Sequence, residues 1–487
     1  MSELPEGWVR GSLSDVLRIR NGYAFKSAEF KLDGVPLVRQ SNLDGDKVDL
    51  SKCAYLDEQY LIERASFTLH KGDVLIGMSG SVGKLCTYDQ DFAALQNQRV
   101  GKIELHAHDQ TEWRFVWHYL KTVTDALLDK AKGVAVANVS PDDIHSLPLN
   151  VPPLAEQTRI AQKLDELLAQ VDTLKARIDA IPALLKRFRQ SVLAAAVSGR
   201  LTEEWRMQHV GWVNEVNPTA VPNHGDDCRV SQAPPNLPDN HTALVLASRE
   251  QGEIPNGWQW RMLVNLAKLE SGHTPRKSIA AYWENGDVPW LSLQDIRAAD
   301  GKEIHQTKHM PTMLGIDNSS ARLLPEGTVC FCRDISVGYV TIMGKSMSTT
   351  QHFANWICKE ELIPKYLMFA FMASREHLTR SGQGSTVKTI YMPALKELRL
   401  SLPPLAEQTE IVRRVEQLFA LADQLEAKVA SAKSRIDHLT QSILAKAFRG
   451  ELVPQDPNDE PASVLLERIQ TQRASAPKAK RGRKASA

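Results

Sequence analysis

Apolar residues recur at a 3.5-residue period in two long stretches of the chain. In the first, Ile160, Leu164, Leu167, Val171, Leu174, Ile178, Ile181, Leu185, Phe188 and Val192 follow one another at alternating steps of four and three. In the second, Ile411, Val415, Leu418, Ala422, Leu425, Val429, Ala432, Ile436, Leu439 and Ile443 repeat those steps. Such a seam, held for more than four heptads, predicts a coiled-coil helix. Pro152-Pro153 and Pro403-Pro404 stand where each helix opens, and Gly199 and Gly450 where each closes. At ~1.5 Å per residue, the run from 160 to 192 predicts a rod of about 48 Å. Pro182, which has no counterpart in the second stretch, predicts a kink. Elsewhere the pattern shortens. Residues 73–77, 100–104 and 328–332 are β-branched or apolar runs that predict strands, while 112–132 and 365–381 have helical spacing.

The two seams belong to a longer repeat. Pro152-Pro153-Leu-Ala-Glu156-Gln157-Thr158 recurs 251 positions later as Pro403-Pro404-Leu-Ala-Glu407-Gln408-Thr409, and Ser191, Leu193, Gly199 and Leu201 keep that offset. Upstream, Pro5-Glu-Gly7-Trp8 returns as Pro255-Asn-Gly257-Trp258. One unit of about 200 residues is thus written twice. After each Pro-Pro the copies agree closely, whereas before it they share only landmarks. A common frame carrying two differently specialised modules fits that contrast. Two matched seams in one chain are expected to pack on each other, antiparallel if the copies are related by a pseudo-twofold axis. A homodimeric coiled coil is the alternative.

The expected fold class is therefore α+β: two mixed α/β modules joined by two long helices in an intramolecular antiparallel coiled coil. The boundaries are 1–151 for the first module, 152–200 for the first helix, 201–253 for a Pro-, Asn- and Asp-rich linker, 254–402 for the second module, 403–450 for the second helix, and 451–487 for a short helix and basic tail.

Catalytic motifs are weak. Ser79-Gly80-Ser81-Val82-Gly83-Lys84 resembles a phosphate loop, but Met78 holds the place of its first glycine and Leu85 follows the lysine. A Gly-rich β-turn, repeated at Ile335-Ser336-Val337-Gly338, is the simpler reading. No strand-to-helix glycine motif offers an S-adenosylmethionine pocket, and no His, Cys or Asp cluster has metal spacing. The module loops instead carry groups that bond in forks and planes. Arg39, Gln40 and Asn42 in the first module, and Gln294, Arg333, Thr350 and Gln351 in the second, are of the types that match base edges in the major groove. Lys84, Arg99 and Lys388 suit phosphates. Each of these residues could instead stabilise its own loop.

Composition constrains the picture without deciding it. The 487 residues, 43% apolar and 24% charged, exceed what one core usually supports. No long apolar run or basic-then-apolar leader is present, so a cytoplasmic protein without membrane contact is expected. The six cysteines lack Cys-x-x-Cys spacing and read as free thiols. A net charge of +1 argues against a lone DNA-binding domain, which is usually basic.

The Pro-Pro-Leu-Ala-Glu-Gln starts, the heptad helices, the run Leu184 to Leu193 with Gly199-Arg-Leu-Thr-Glu-Glu-Trp205-Arg206, and Gln441 to Leu452 resemble the conserved regions of type I restriction-modification specificity subunits, most of all the enteric K family. Gly22-Tyr-Ala-Phe25, Gly34-Val-Pro36, Tyr282-Trp283 and Val288-Pro289-Trp290 are similar to landmarks of that family's target recognition domains. The resemblance implies a non-catalytic subunit in which each module reads half of a split double-stranded DNA site while the helices set the unread gap. It implies two modification subunits, which carry S-adenosylmethionine and methylate adenine, and two restriction subunits, which use ATP and Mg. No cofactor is implied for this chain. Glu156, Gln157, Glu407 and Gln408 are candidates for docking those partners, or else compensate charge at a helix start. The near-neutral charge then implies that partners share the phosphate contacts. A self-contained DNA methyltransferase and a coiled-coil scaffold with two non-DNA ligand modules are the alternatives.

Overall fold

The computed structural model describes residues 4–123, 127, 138–209, 243–245, 253–381 and 388–475. Most of the expected linker, Cys228 and the basic tail lie outside the described residues. The chain divides into two compact units, Met1–Asp179 with Ser431–Ala487, and Ala180–Ala430. The division cuts through both long helices, Leu154–Val197 and Leu405–Arg449, so each unit owns part of each helix.

In the first unit, strand Leu17–Asn21 leads a six-stranded sheet, followed in space by Val100–Leu105, Val74–Gly77, Leu85–Thr87, Lys47–Val48 and Leu43–Asp44. A second sheet of four strands pairs Val35–Val38 in parallel with Ala94–Gln96. Leu37, Leu56 and Leu95 from this sheet are fully buried, as continuous apolar runs require. Strand Val9–Ser12 pairs antiparallel with Pro148–Val151, which leads into Pro152-Pro153 and the first long helix. Against this helix packs the final part of the second: Lys175 meets Asp437 and Asp179 meets Lys433, so number rises along one helix as it falls along the other. The C-terminal helix Ala462–Ser475 buries Ala462, Leu465 and Ile469 in the same core.

The second unit repeats the plan. Its main sheet runs Ala267–Ser271, Phe353–Cys358, Val329–Cys332, Val340–Met343, Glu303–Ile304, and Trp290–Leu291 pairs in parallel with Ser348–Thr349. Strand Gln259–Met262 pairs with Arg399–Leu402 ahead of the second long helix. Arg189 of the first helix bridges Asp423 and Glu426 of the second, and farther along Arg414 donates to Leu201 O, so the direction is again antiparallel.

The predicted strands and the antiparallel direction are both observed. Within the 112–132 stretch, Trp113–Thr122 is helical. Two features differ from expectation. The 365–381 stretch is two helices, Pro364–Ala373 and Arg375–Ser381. Between them the Ser374 hydroxyl accepts a bond from the Leu244 amide. Along the helices, Ile160, Leu164, Ile411 and Val415 are fully buried, but seam residues Leu174, Leu425 and Leu439 stay exposed. The fully buried seam residues are those that join the core of their own unit, Ile160 and Leu164 in the first and Ile411 and Val415 in the second. The first helix continues through Pro182.

Candidate nucleic-acid interface

The Gly-rich segment of each module is a tight turn between antiparallel strands. In the first unit it joins Val74–Gly77 to Leu85–Thr87, and in the second Val329–Cys332 to Val340–Met343. A phosphate loop needs a helix after the glycines, so that reading is excluded by strand–turn–strand geometry. The two turns share their hydrogen bonds. Gly83 N donates to Gly77 O and Ser81 N to Ser79 O, and Gly338 N donates to Cys332 O and Ser336 N to Asp334 O.

Around each turn the same loops gather. Arg39 and Gln40 follow the parallel-paired strand Val35–Val38, as Ser292 and Leu293 follow Trp290–Leu291. Gln98 and Arg99 follow the partner strand in one module, and Gln351 and His352 in the other. Met78 N donates to Arg99 O and Arg333 N to His352 O, which ties each turn to that loop. Gly22 and Gly272 let the backbones approach. A Cβ on Gly22 would sit 2.2 Å from Gln96 O, and one on Gly272 2.2 Å from Thr350 O.

The candidate residues divide by burial. Lys84, Arg99, Gln294, Gln351 and Lys388 are exposed, and Arg39, Gln40 and Arg333 are half-buried. Arg39 donates to Lys52 O at 3.3 Å and Arg333 to Gln351 O at 2.9 Å. The Nε of each guanidinium has no acceptor among the described residues. Each guanidinium is thus held to its own loop by one bond through its terminal nitrogen, while its Nε is buried. Gln40 lies over Gly80, where a Cβ would come within 2.9 Å of its Nε2. Gln351 accepts from the Thr274 hydroxyl and Gln294 from Lys308. Arg99 borders a cleft of about 530 Å³ with Asn21, Ser79 and Asn138.

Burial removes two candidates from this surface. Asn42 is 2% exposed, with Oδ1 accepting from Arg39 N and Nδ2 donating to Asp49 O. It holds its loop, as Asp295 does in the second module through Ser292 N and Lys308 N. Thr350 is likewise buried, and its hydroxyl accepts from His352 N.

The helix-start candidates are also internal. Glu156, Gln157, Glu407 and Gln408 are buried within their own units. Trp8 Nε1 donates to Glu156, and Trp258 Nε1 to Glu407. Gln157 Nε2 donates to Pro152 O while its Oε1 accepts from Glu112 N; Gln408 bonds likewise to Pro403 O and Ile363 N. These side chains clamp each module to its helix, and a partner cannot reach them while the clamp is closed. The clamp accounts for the persistence of Glu-Gln in both copies. Sequence reasoning named these residues but missed Trp8 and Trp258, although both landmarks recur.

Type I restriction modification DNA specificity domain models match residues 5–183 and 255–431, one for each copy. The chain belongs to the type I restriction-modification DNA specificity family. It is 32% identical to the Type I restriction enzyme EcoBI specificity subunit of Escherichia coli, over 98% of this chain and 95% of that one. Against the EcoKI specificity subunit of E. coli strain K12 the identity is 31% over 99% of both chains. The fold is similar to a chain in a structure of type I R-M system assembly and conformational transition, with a TM-score of 0.62 at 18% identity, covering 93% of this chain and 100% of that one. It is also similar to the HsdS subunit from Thermoanaerobacter tengcongensis, with a TM-score of 0.54 at 19% identity, covering 93% and 99%. The two matched segments of the specificity family each contain one turn, one set of rim loops and one clamp.

Proposed function

We propose that this chain selects the DNA sequence for a type I restriction-modification complex, each module reading one half of a split, asymmetric double-stranded site. One observation carries this reading: the same rim is built twice on equivalent turns but with different side chains. Arg39, Gln40, Lys84 and Arg99 stand on one, and Gln294, Arg333, Gln351 and Lys388 on the other. Arg, Gln and Lys supply base-edge and phosphate contacts.

Chemistry belongs to the partners in this reading. Two modification subunits bring S-adenosylmethionine and methylate adenine, which must leave the stack to react. Two restriction subunits bring ATP and Mg. With a net charge of +1, this chain leaves part of the phosphate neutralisation to them and binds DNA weakly alone. The experiment is methyl transfer and DNA binding by the purified chain with and without its modification partner. Sequence-specific transfer only in the mixture is expected. Transfer by the chain alone contradicts a non-catalytic role, and a complex that methylates without sequence preference contradicts the reading role.

A further inference from the structure

The turn of the second module carries an isoleucine where its backbone favours glycine. In each turn the middle residue of the three-residue bonded loop has a left-handed φ, +69° at Gly80 and +57° at Ile335. Among the described residues, Asn285 and Ile335 are the non-glycines with positive φ. Asparagine tolerates that region, whereas a β-branched side chain is strained there. The strain does not serve a core, because the Ile335 side chain is 53% exposed at the tip of the turn. Strain held at an exposed position of a candidate site points to a contact made by the side chain itself.

The neighbours say what kind of contact. Ile335 borders a cleft of about 500 Å³ lined also by Arg297, Tyr339 and Lys388. Arg297 reaches the turn by donating to Ser336 Oγ at 2.6 Å, and Lys388 adjoins Thr389, which bridges to Asp334. An apolar tip between cations fits a polyanion that also presents an apolar group. In the major groove that group is the C5 methyl of thymine. The first module is polar at the equivalent point, with the Gln40 amide over Gly80; the second has Leu293 in place of Gln40 and Ile335 in place of Gly80.

We propose that Ile335 is a specificity-determining residue that contacts a thymine methyl in the half-site read by the second module. The proposal rests on the DNA-reading role above. The test uses the full chain assembled with its modification partner, after its methylated motif has been mapped by sequencing. Each thymine of both half-sites is replaced in turn by deoxyuridine, which lacks only the methyl, and methylation rates are compared for wild type and Ile335→Gly. At one thymine of one half-site, the replacement should slow wild type roughly three- to tenfold. Ile335→Gly should treat both bases alike there. Because glycine accepts the positive φ, its thermal stability should equal or exceed that of wild type. The proposal is overturned if no replacement slows wild type, if the discrimination persists in Ile335→Gly, or if Ile335→Gly slows every sequence equally, as loss of a base-step wedge would. A wild-type complex without any sequence preference would bring down the DNA-reading role itself, a result distinguishable from these three.

Discussion

Trp258 donates its indole N–H to Glu407 at 2.9 Å, the same bond at the same length that Trp8 makes to Glu156. The two clamps differ beyond that bond. Glu407 Oε1 also accepts from the Thr202 hydroxyl at 2.7 Å and is bridged by Arg206, which donates in turn to Gly199 O. At Glu156, Oε1 is buried with no partner among the described residues. Val453 and Pro457 stand in the second copy where Thr202 and Arg206 stand in the first, and neither side chain can donate a hydrogen bond.

That asymmetry predicts unequal costs. Glu407→Gln weakens a buried, charge-assisted cluster and should destabilise the second unit by about 2–3 kcal/mol. Glu156→Gln keeps the bond from Trp8, removes a poorly compensated charge, and should cost less than about 1 kcal/mol. Burial raises the Glu156 carboxyl above its ordinary value of 4.5, against the lowering influence of Trp8 and Arg159. A raised carboxyl favours the folded state when protonated. Its contribution is therefore complete below pH 4.5 and is lost as pH rises through the raised value. Hydrogen exchange at the helix-start amides, followed from pH 4.5 to neutrality, should show first-unit protection weakening with pH in wild type and less so in Glu156→Gln. Equal losses in the two Gln variants would refute the asymmetry.

Gly22 and Gly272 hold their loops by contact, not by an unusual φ. Alanine at either site puts a Cβ 2.2 Å from a backbone carbonyl oxygen of the facing loop. Each substitution should cost about 1–3 kcal/mol by displacing that loop. Gly22→Ala should impair reading by the first module alone, and Gly272→Ala by the second alone. Denaturant unfolding and methylation of variant duplexes measure both effects. Unfolding that matches wild type for both variants would show that the loops have room to spare.

Much of this architecture was legible in the sequence, because period and repetition survive without tertiary information. The heptads located both helices, and the 251-residue offset paired the modules. Burial of polar residues was not legible. Asn42 and Gln40 are two residues apart in one loop, yet Asn42 faces its own backbone and Gln40 lies at the turn; composition cannot separate them. Glu156 and Glu407 look like helix-start charge until Trp8 and Trp258, some 150 positions away, are brought beside them. The docking of Ala462–Ser475 on the first module also eluded local reading, since Ala462 N donates to Gly7 O and Arg473 to Ser14 O, the latter across 459 residues.

The central claim is that the two rims read separate half-sites. Genome-wide methylation mapping of complexes carrying Arg39→Ala or Arg333→Ala tests it most directly. Each substitution should relax preference at one base position, costing about 1–3 kcal/mol there, with the two relaxed positions in opposite halves of the motif. A motif unchanged in both variants, or relaxation of the same half by each, would contradict the account.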